Sequence, residues 1–100
     1  MRIVARKSLV EFWKAHPETK SSLARWYEVT ASGNWSSLSD VVATFPRAKA
    51  LGRDRVRFEV AGGNYRLIVA YRFDVKIAWV KFIGTHSEYD KVDATTISIF

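Results

Sequence analysis

Arg66, Lys81, His86 and Tyr89 are the residues of this chain whose types can hold a phosphate and move protons. A histidine exchanges protons near neutral pH, and a tyrosine can stack on a base or donate its hydroxyl. An arginine fork matches two phosphate oxygens at once, and a lysine adds a point charge. Further cations lie close in sequence at Arg47, Lys49, Arg53, Arg55, Arg57 and Arg72. Together these suffice for RNA cleavage without a metal. A base removes the 2′-hydroxyl proton, cations stabilise the crowded phosphorane, and an acid protonates the leaving 5′-oxygen. Each type alone is common on protein surfaces, and Tyr89 reads equally well as a core residue whose hydroxyl caps the C-terminal segment.

The charge distribution supports a polyanionic partner. The net charge is +6, and residues 47–72 hold seven basic against two acidic side chains, +5 of it. Residues 1–46 contribute +2 and residues 73–100 contribute −1. A localised basic stripe suits phosphates, and equally a solvated surface. Other chemistries are not encoded. There is no Gly-rich phosphate loop, no nucleophile elbow and no pair of catalytic carboxylates. The chain has no cysteine, and His16 and His86 are too far apart for metal-ligand spacing, so no metal and no cofactor are expected. No long apolar run and no export signal are visible, so no membrane contact and a cytoplasmic location are expected.

These residues need a scaffold, and the pattern supplies one. One hundred residues with 48% hydrophobic content predict a single domain over 1–100. Arg2–Ala5 is β-prone. Ser8 and Glu11 have capping-box spacing before a helix with Leu9, Phe12, Trp13 and His16 on one face, closed at Pro17. Leu23, Trp26, Tyr27 and Ala31 repeat the spacing, with Gly33 placed for a C-cap. Core packing suits these aromatics better than base stacking. His16 reads as a structural histidine at a helix end. Asp40 is placed to cap a short helix that Pro46 stops. Arg47–Arg55 reads as a mobile basic loop.

Then come three strands. Val56, Phe58 and Val60 alternate with Arg55, Arg57 and Glu59. Gly62, Gly63 and Asn64 supply a hairpin turn tolerant of positive φ. Tyr65–Phe73 follows, with Arg66, Ile68, Ala70 and Arg72 on one face and Tyr65, Leu67, Val69 and Tyr71 on the other. Lys76–Ile83 is apolar almost throughout, as a central strand should be, and Lys81 interrupts it. The expected architecture is α+β, in the order β-α-α-β-β-β. A small antiparallel sheet carries an N-terminal helical hairpin on one face and leaves the other available.

Two separated motifs add a resemblance. Gly62-Gly63-Asn64-Tyr65-Arg66-Leu67 is followed after one strand by Thr85-His86-Ser87-Glu88-Tyr89-Asp90. Upstream stand Trp35-Ser36-Ser37-Leu38-Ser39-Asp40-Val41 and Phe45-Pro46-Arg47-Ala48. With the order of elements, these resemble the HigB family of toxins from bacterial type II toxin–antitoxin modules, from the start of the chain to about Asp93. The resemblance implies a RelE-like fold and an mRNA endoribonuclease that cuts messages on the translating ribosome. It implies neutralisation by a helix-turn-helix antitoxin of the HigA type, and contact with operator DNA only through that complex. Arg66, His86 and Tyr89 fall within its motifs, and Lys81 falls where the family often has a basic residue. Two other functions fit the same scaffold: a non-catalytic RNA-binding or ribosome-docking module, and a co-repressor that meets DNA with its antitoxin.

Overall fold

The computed structural model describes residues 1–100. Its elements are β1 (Arg2–Val4), α1 (Arg6–Ala15), α2 (Lys20–Ala31), α3 (Leu38–Thr44), β2 (Lys49–Ala50), β3 (Arg55–Val60), β4 (Tyr65–Arg72), β5 (Ile77–Thr85) and α4 (His86–Tyr89). The five strands form one sheet in the order β1-β5-β4-β3-β2. The β2–β5 pairings are antiparallel, as expected. β1 corrects the expectation of a wholly antiparallel sheet, because it joins β5 in parallel with Arg2 opposite Ile77. A parallel neighbour needs a long connection, and the helices and the meander provide it.

The alternation read along β4 is observed. Tyr65, Leu67, Val69 and Tyr71 face the helices, in one core cluster with Leu9, Leu23, Trp26, Val41, Val56 and Phe58. Leu9 and Leu23 are fully buried, and each contributes about 1.5–3 kcal/mol by leaving water. This packing, more than helix propensity, holds the hairpin on the sheet. Trp26 is buried edge-on against Phe58, 5.6 Å between centroids. Trp13 and Tyr27 pack at the core margin and share the Arg6 guanidinium, 5.7 and 5.5 Å from their ring centroids. These aromatics therefore pack with the core.

Several local devices differ from expectation. α1 begins at Arg6, so Ser8 lies inside it and makes no capping box. Ser37, not Asp40, caps α3. Its hydroxyl accepts from the Asp40 N–H, while the Asp40 carboxylate accepts from the Ser36 N–H at 2.9 Å. α2 ends on Ser32 without a left-handed residue. Gly33 matters for another reason: a Cβ there would meet the Trp35 ring at 2.7 Å. The basic loop contains the short strand β2, with Lys49 opposite Arg57. In the hairpin turn, Ala61, Gly62 and Gly63 take positive φ, whereas Asn64 is right-handed at −71°. Asn64 instead lends its carbonyl to the His86 N–H at 3.0 Å.

β5 contains an irregularity that the pattern concealed. Ile68 pairs with Phe82 and Val69 with Val80, so Lys81 is the extra residue of a β-bulge. A bulge bends its strand and re-aims side chains. Up to Val80 the even-numbered residues face the core, and beyond the bulge Ile83 does. The apolar run is thus two half-patterns joined at Lys81.

Candidate active site on the open sheet face

The sheet face away from the helices carries Arg55, Arg57 and Glu59 from β3, and Arg66, Ile68, Ala70 and Arg72 from β4. Trp79 and Phe82 from β5 join them. These assignments follow from register, since Arg55 pairs with Ala70, Arg57 with Ile68, Glu59 with Arg66, and Ala70 with Trp79. The face has two ends. Arg66 and Arg72 are six residues apart on one strand, roughly 20 Å at about 3.3 Å per residue.

Three of the four residues proposed for chemistry stand on elements that come together at the hairpin end. Arg66 is buried, and its Nη1 donates to the Gly63 carbonyl and to the Tyr65 carbonyl at 3.3 Å. Its Nη2 makes no bond within the protein. Opposite Arg66 in register stands Gly84, and one residue on, Thr85 opens α4 with a capping box. The Thr85 hydroxyl accepts from the Glu88 N–H at 3.1 Å, and the Glu88 carboxylate accepts from the Thr85 N–H at 2.8 Å. That backbone bond holds the Glu88 carboxyl below the usual glutamate range, helped by the Thr85 side chain. The capping box sets the direction of α4 and with it the placement of His86 and Tyr89.

His86 is exposed, and its Nδ1 lies 3.1 Å from the Asp90 carboxylate. The two form an ion pair only when the imidazole is protonated, and the contact leaves Nε2 for a ligand. Tyr89 is half-buried over Phe82, 6.4 Å between ring centroids. Phe82 in turn lies over Gly84, where a Cβ would meet its ring at 2.8 Å. The motif alone does not single out Asp90, although its i, i+4 spacing from His86 is the signal that brings the two together.

Lys81 stands apart from those three. It lines a cavity of about 410 Å³ at the other end of the face, with Arg53, Asp54, Arg55, Ala70, Arg72, Trp79 and Thr95. Arg72 is held bidentately by Asp74 at 3.0 and 2.7 Å, a bond that raises the Arg72 pKa and lowers that of Asp74.

The six cations of the basic stripe prove unequal. Arg55 is buried and spends its Nη1 on the carbonyls of Ala94 at 3.2 Å and Ile97 at 2.7 Å. Its place is that of a clamp on the C-terminal segment, not of a free phosphate ligand. Arg57 donates to the Arg47 carbonyl and to Glu59, and Arg47 lies 3.8 Å from Glu59. Glu59 thus neutralises part of the stripe. Lys49 and Arg53 are exposed and form no ion pair.

On the opposite side of the hairpin end, the Tyr65 hydroxyl donates to Glu18 and lies 3.4 Å from His16 Nδ1. The bond raises the tyrosine pKa and lowers that of Glu18. His16 also stacks on Phe12, 4.4 Å between centroids, which agrees with its structural reading.

An α+β sheet with a helical hairpin on one face, an open basic face and a short helix bearing His86 and Tyr89 has the organisation of a RelE-like toxin. Residues 19–92 match the model of a family described as HigB_toxin, the RelE-like toxic component of a toxin–antitoxin system. The chain belongs to this HigB toxin family, which has an antitoxin as partner. It is also similar to the mRNA interferase toxin HigB of Escherichia coli strain K12, 26% identical over 93 residues that cover 90% of this chain and 88% of the relative. The mRNA interferases HigB of Escherichia coli O157:H7 and of Shigella flexneri match to the same extent. No helix of the fold is long and apolar enough to cross a membrane.

Proposed function

We propose that this toxin is an mRNA endoribonuclease that cuts messages on the translating ribosome, in the cytoplasm and without a metal. A helix-turn-helix antitoxin of the HigA type neutralises it, and operator DNA meets it only through that complex. The observation that carries the reading is that β4, which bears Arg66, and α4, which bears His86 and Tyr89, come together at one end of an open, basic sheet face. The names of the similar mRNA interferases support it.

The chemistry is an in-line displacement. Tyr89 orients the attacking 2′-hydroxyl, whose proton leaves to solvent. The 2′-oxygen bonds to phosphorus, and Arg66 Nη2 stabilises the charge on the phosphorane. The bond from phosphorus to the 5′-oxygen breaks as His86 Nε2 gives that oxygen its proton, leaving a 2′,3′-cyclic phosphate and a 5′-hydroxyl. Asp90 keeps the imidazole turned for that transfer.

Primer extension on cellular mRNA after induction tests this, with cuts expected to cluster within translated codons. His86→Gln should lower cleavage about 10²–10⁴-fold at an unchanged melting temperature. A substrate with an activated 5′-leaving group should restore much of that loss. Intact messages after induction of the parent chain overturn the reading.

A further inference from the structure

The cavity around Lys81 is a second feature of the open face, away from the hairpin end where cleavage is placed. We propose that it binds one nucleotide of the RNA strand, with the Trp79 indole stacking on the base and Lys81 and Arg53 holding its phosphate. The inference rests on the cleavage reading only in taking that strand to be RNA.

Four observations carry it. The first is the strand pattern. Lys81 lines the same cavity as Trp79 two positions before it, as alternation places them. The second is the surroundings of Trp79. Its register neighbours are Ala70 on β4 and Val4 on β1, both small, and the ring stays half-buried although it lies mid-sheet. A tryptophan left partly open in a cavity lined by cations can serve as a stacking surface. Trp26 and Trp35, by contrast, are buried among core residues.

The third observation is charge. Arg53, Arg55, Arg72 and Lys81 line the cavity against the carboxylate of Asp54, with Asp74 neutralising Arg72 from the rim. Arg55 is committed to the carbonyls of Ala94 and Ile97, which leaves Lys81 and Arg53 as its unpaired cations. Arg53 is held with φ at +72°, a left-handed backbone that a non-glycine residue adopts at some cost and that concentrates at functional sites. The fourth is the wall. The Arg55 clamp brings Thr95 to the cavity, and the bond from the Ile99 N–H to the Lys81 carbonyl, at 3.0 Å, fixes the same segment to the bulge. The volume of about 410 Å³ is in the range of sites for small ligands.

The test is a titration of the purified chain with adenosine 5′-monophosphate, adenosine and inorganic phosphate, read by tryptophan fluorescence and by the indole N–H signals in NMR. The expected result is that the nucleotide binds more tightly than either part and that the signal that moves is that of Trp79. Trp79→Ala should weaken the nucleotide about tenfold, as the loss of one stacked base implies, and leave phosphate binding as it was. Trp79→Phe, which keeps a stacking ring, should recover most of the affinity. Lys81→Met should weaken nucleotide and phosphate alike. Equal affinity for phosphate and nucleotide, or a Trp79→Ala variant that melts like the parent and binds the nucleotide unchanged, overturns the proposal. If Trp79→Ala unfolds the chain, Trp79→Phe and the NMR signal of the parent decide. The cleavage reading fails separately, since a chain that binds the nucleotide through Trp79 but cuts no message keeps the subsite and loses the nuclease.

Discussion

At the hairpin end of the open face, almost every charged group already has a partner in the protein. Arg66 is tied to two turn carbonyls, His86 to Asp90, and Glu88 to the cap of α4. At the cavity end, Lys81 and Arg53 have none, and the half-buried Trp79 lines the same cavity. One end is pre-organised and the other is open. This division suits a nuclease, because the groups that meet the transition state must be fixed before the substrate arrives, whereas groups that hold the strand can spend their bonds on it. The contrast also shows that cation type alone says little. Arg55 and Arg53 are two residues apart, yet one clamps the protein's own backbone and the other is free.

The sharpest way to break the comparison is at Arg66. If its fixed guanidinium is what counts, Arg66→Lys should lose about 10²–10³ in single-turnover rate, because one ammonium cannot keep the two carbonyl bonds and still present a donor where Nη2 stands. Full activity in that variant would mean that the hairpin end is pre-organised for stability alone.

Arg55 gives the next largest effect, on stability. Two charge-assisted bonds from a buried guanidinium disappear in Arg55→Leu, and the loss should be about 2–3 kcal/mol in urea unfolding, with faster amide exchange near residues 94–99. The salt dependence of RNA binding should not change. Arg53→Glu should do the reverse, keeping stability but flattening the slope of log K against log salt by about 0.7. A flattened slope in the Arg55 variant would return that residue to the RNA.

The smallest effect is on pH. Glu88 has its carboxyl held below the usual value of 4.5 by the Thr85 backbone. Its contribution is present above that value and is lost as pH falls through the lowered one. Parent and Glu88→Gln should therefore differ in stability at neutral pH and converge in acid. A constant difference across the titration would show that the capping box does not depend on the charge.

How far the sequence could be read follows from how local each signal was. The face division of β4 was legible because alternation is a property of consecutive residues, and the helical hairpin was legible from i, i+3, i+4 spacing. The motifs singled out Arg66, His86 and Tyr89 for the proposed chemistry because each lies within a short run of consecutive residues. Register is not local, so the bulge at Lys81 was invisible, and with it the change of core-facing positions between Val80 and Ile83. The Arg55 clamp joins residues that are far apart in sequence, and no period announces it. Asn64 was misassigned because a turn rich in Gly and Asn leaves open which residue takes positive φ. Here Ala61 takes it, a residue type for which that conformation is uncommon.

The parallel pairing of β1 with β5 has a consequence for the order of synthesis. Arg2 leaves the ribosome about 75 residues ahead of its partner Ile77. At about 5–20 residues per second, the first strand waits roughly 4–15 s for the strand it pairs with. β4 cannot be enclosed in that interval either, since β5 is also its neighbour. The basic face and α4 are therefore completed together, once β5 has been made. Until then the growing chain has no assembled basic face.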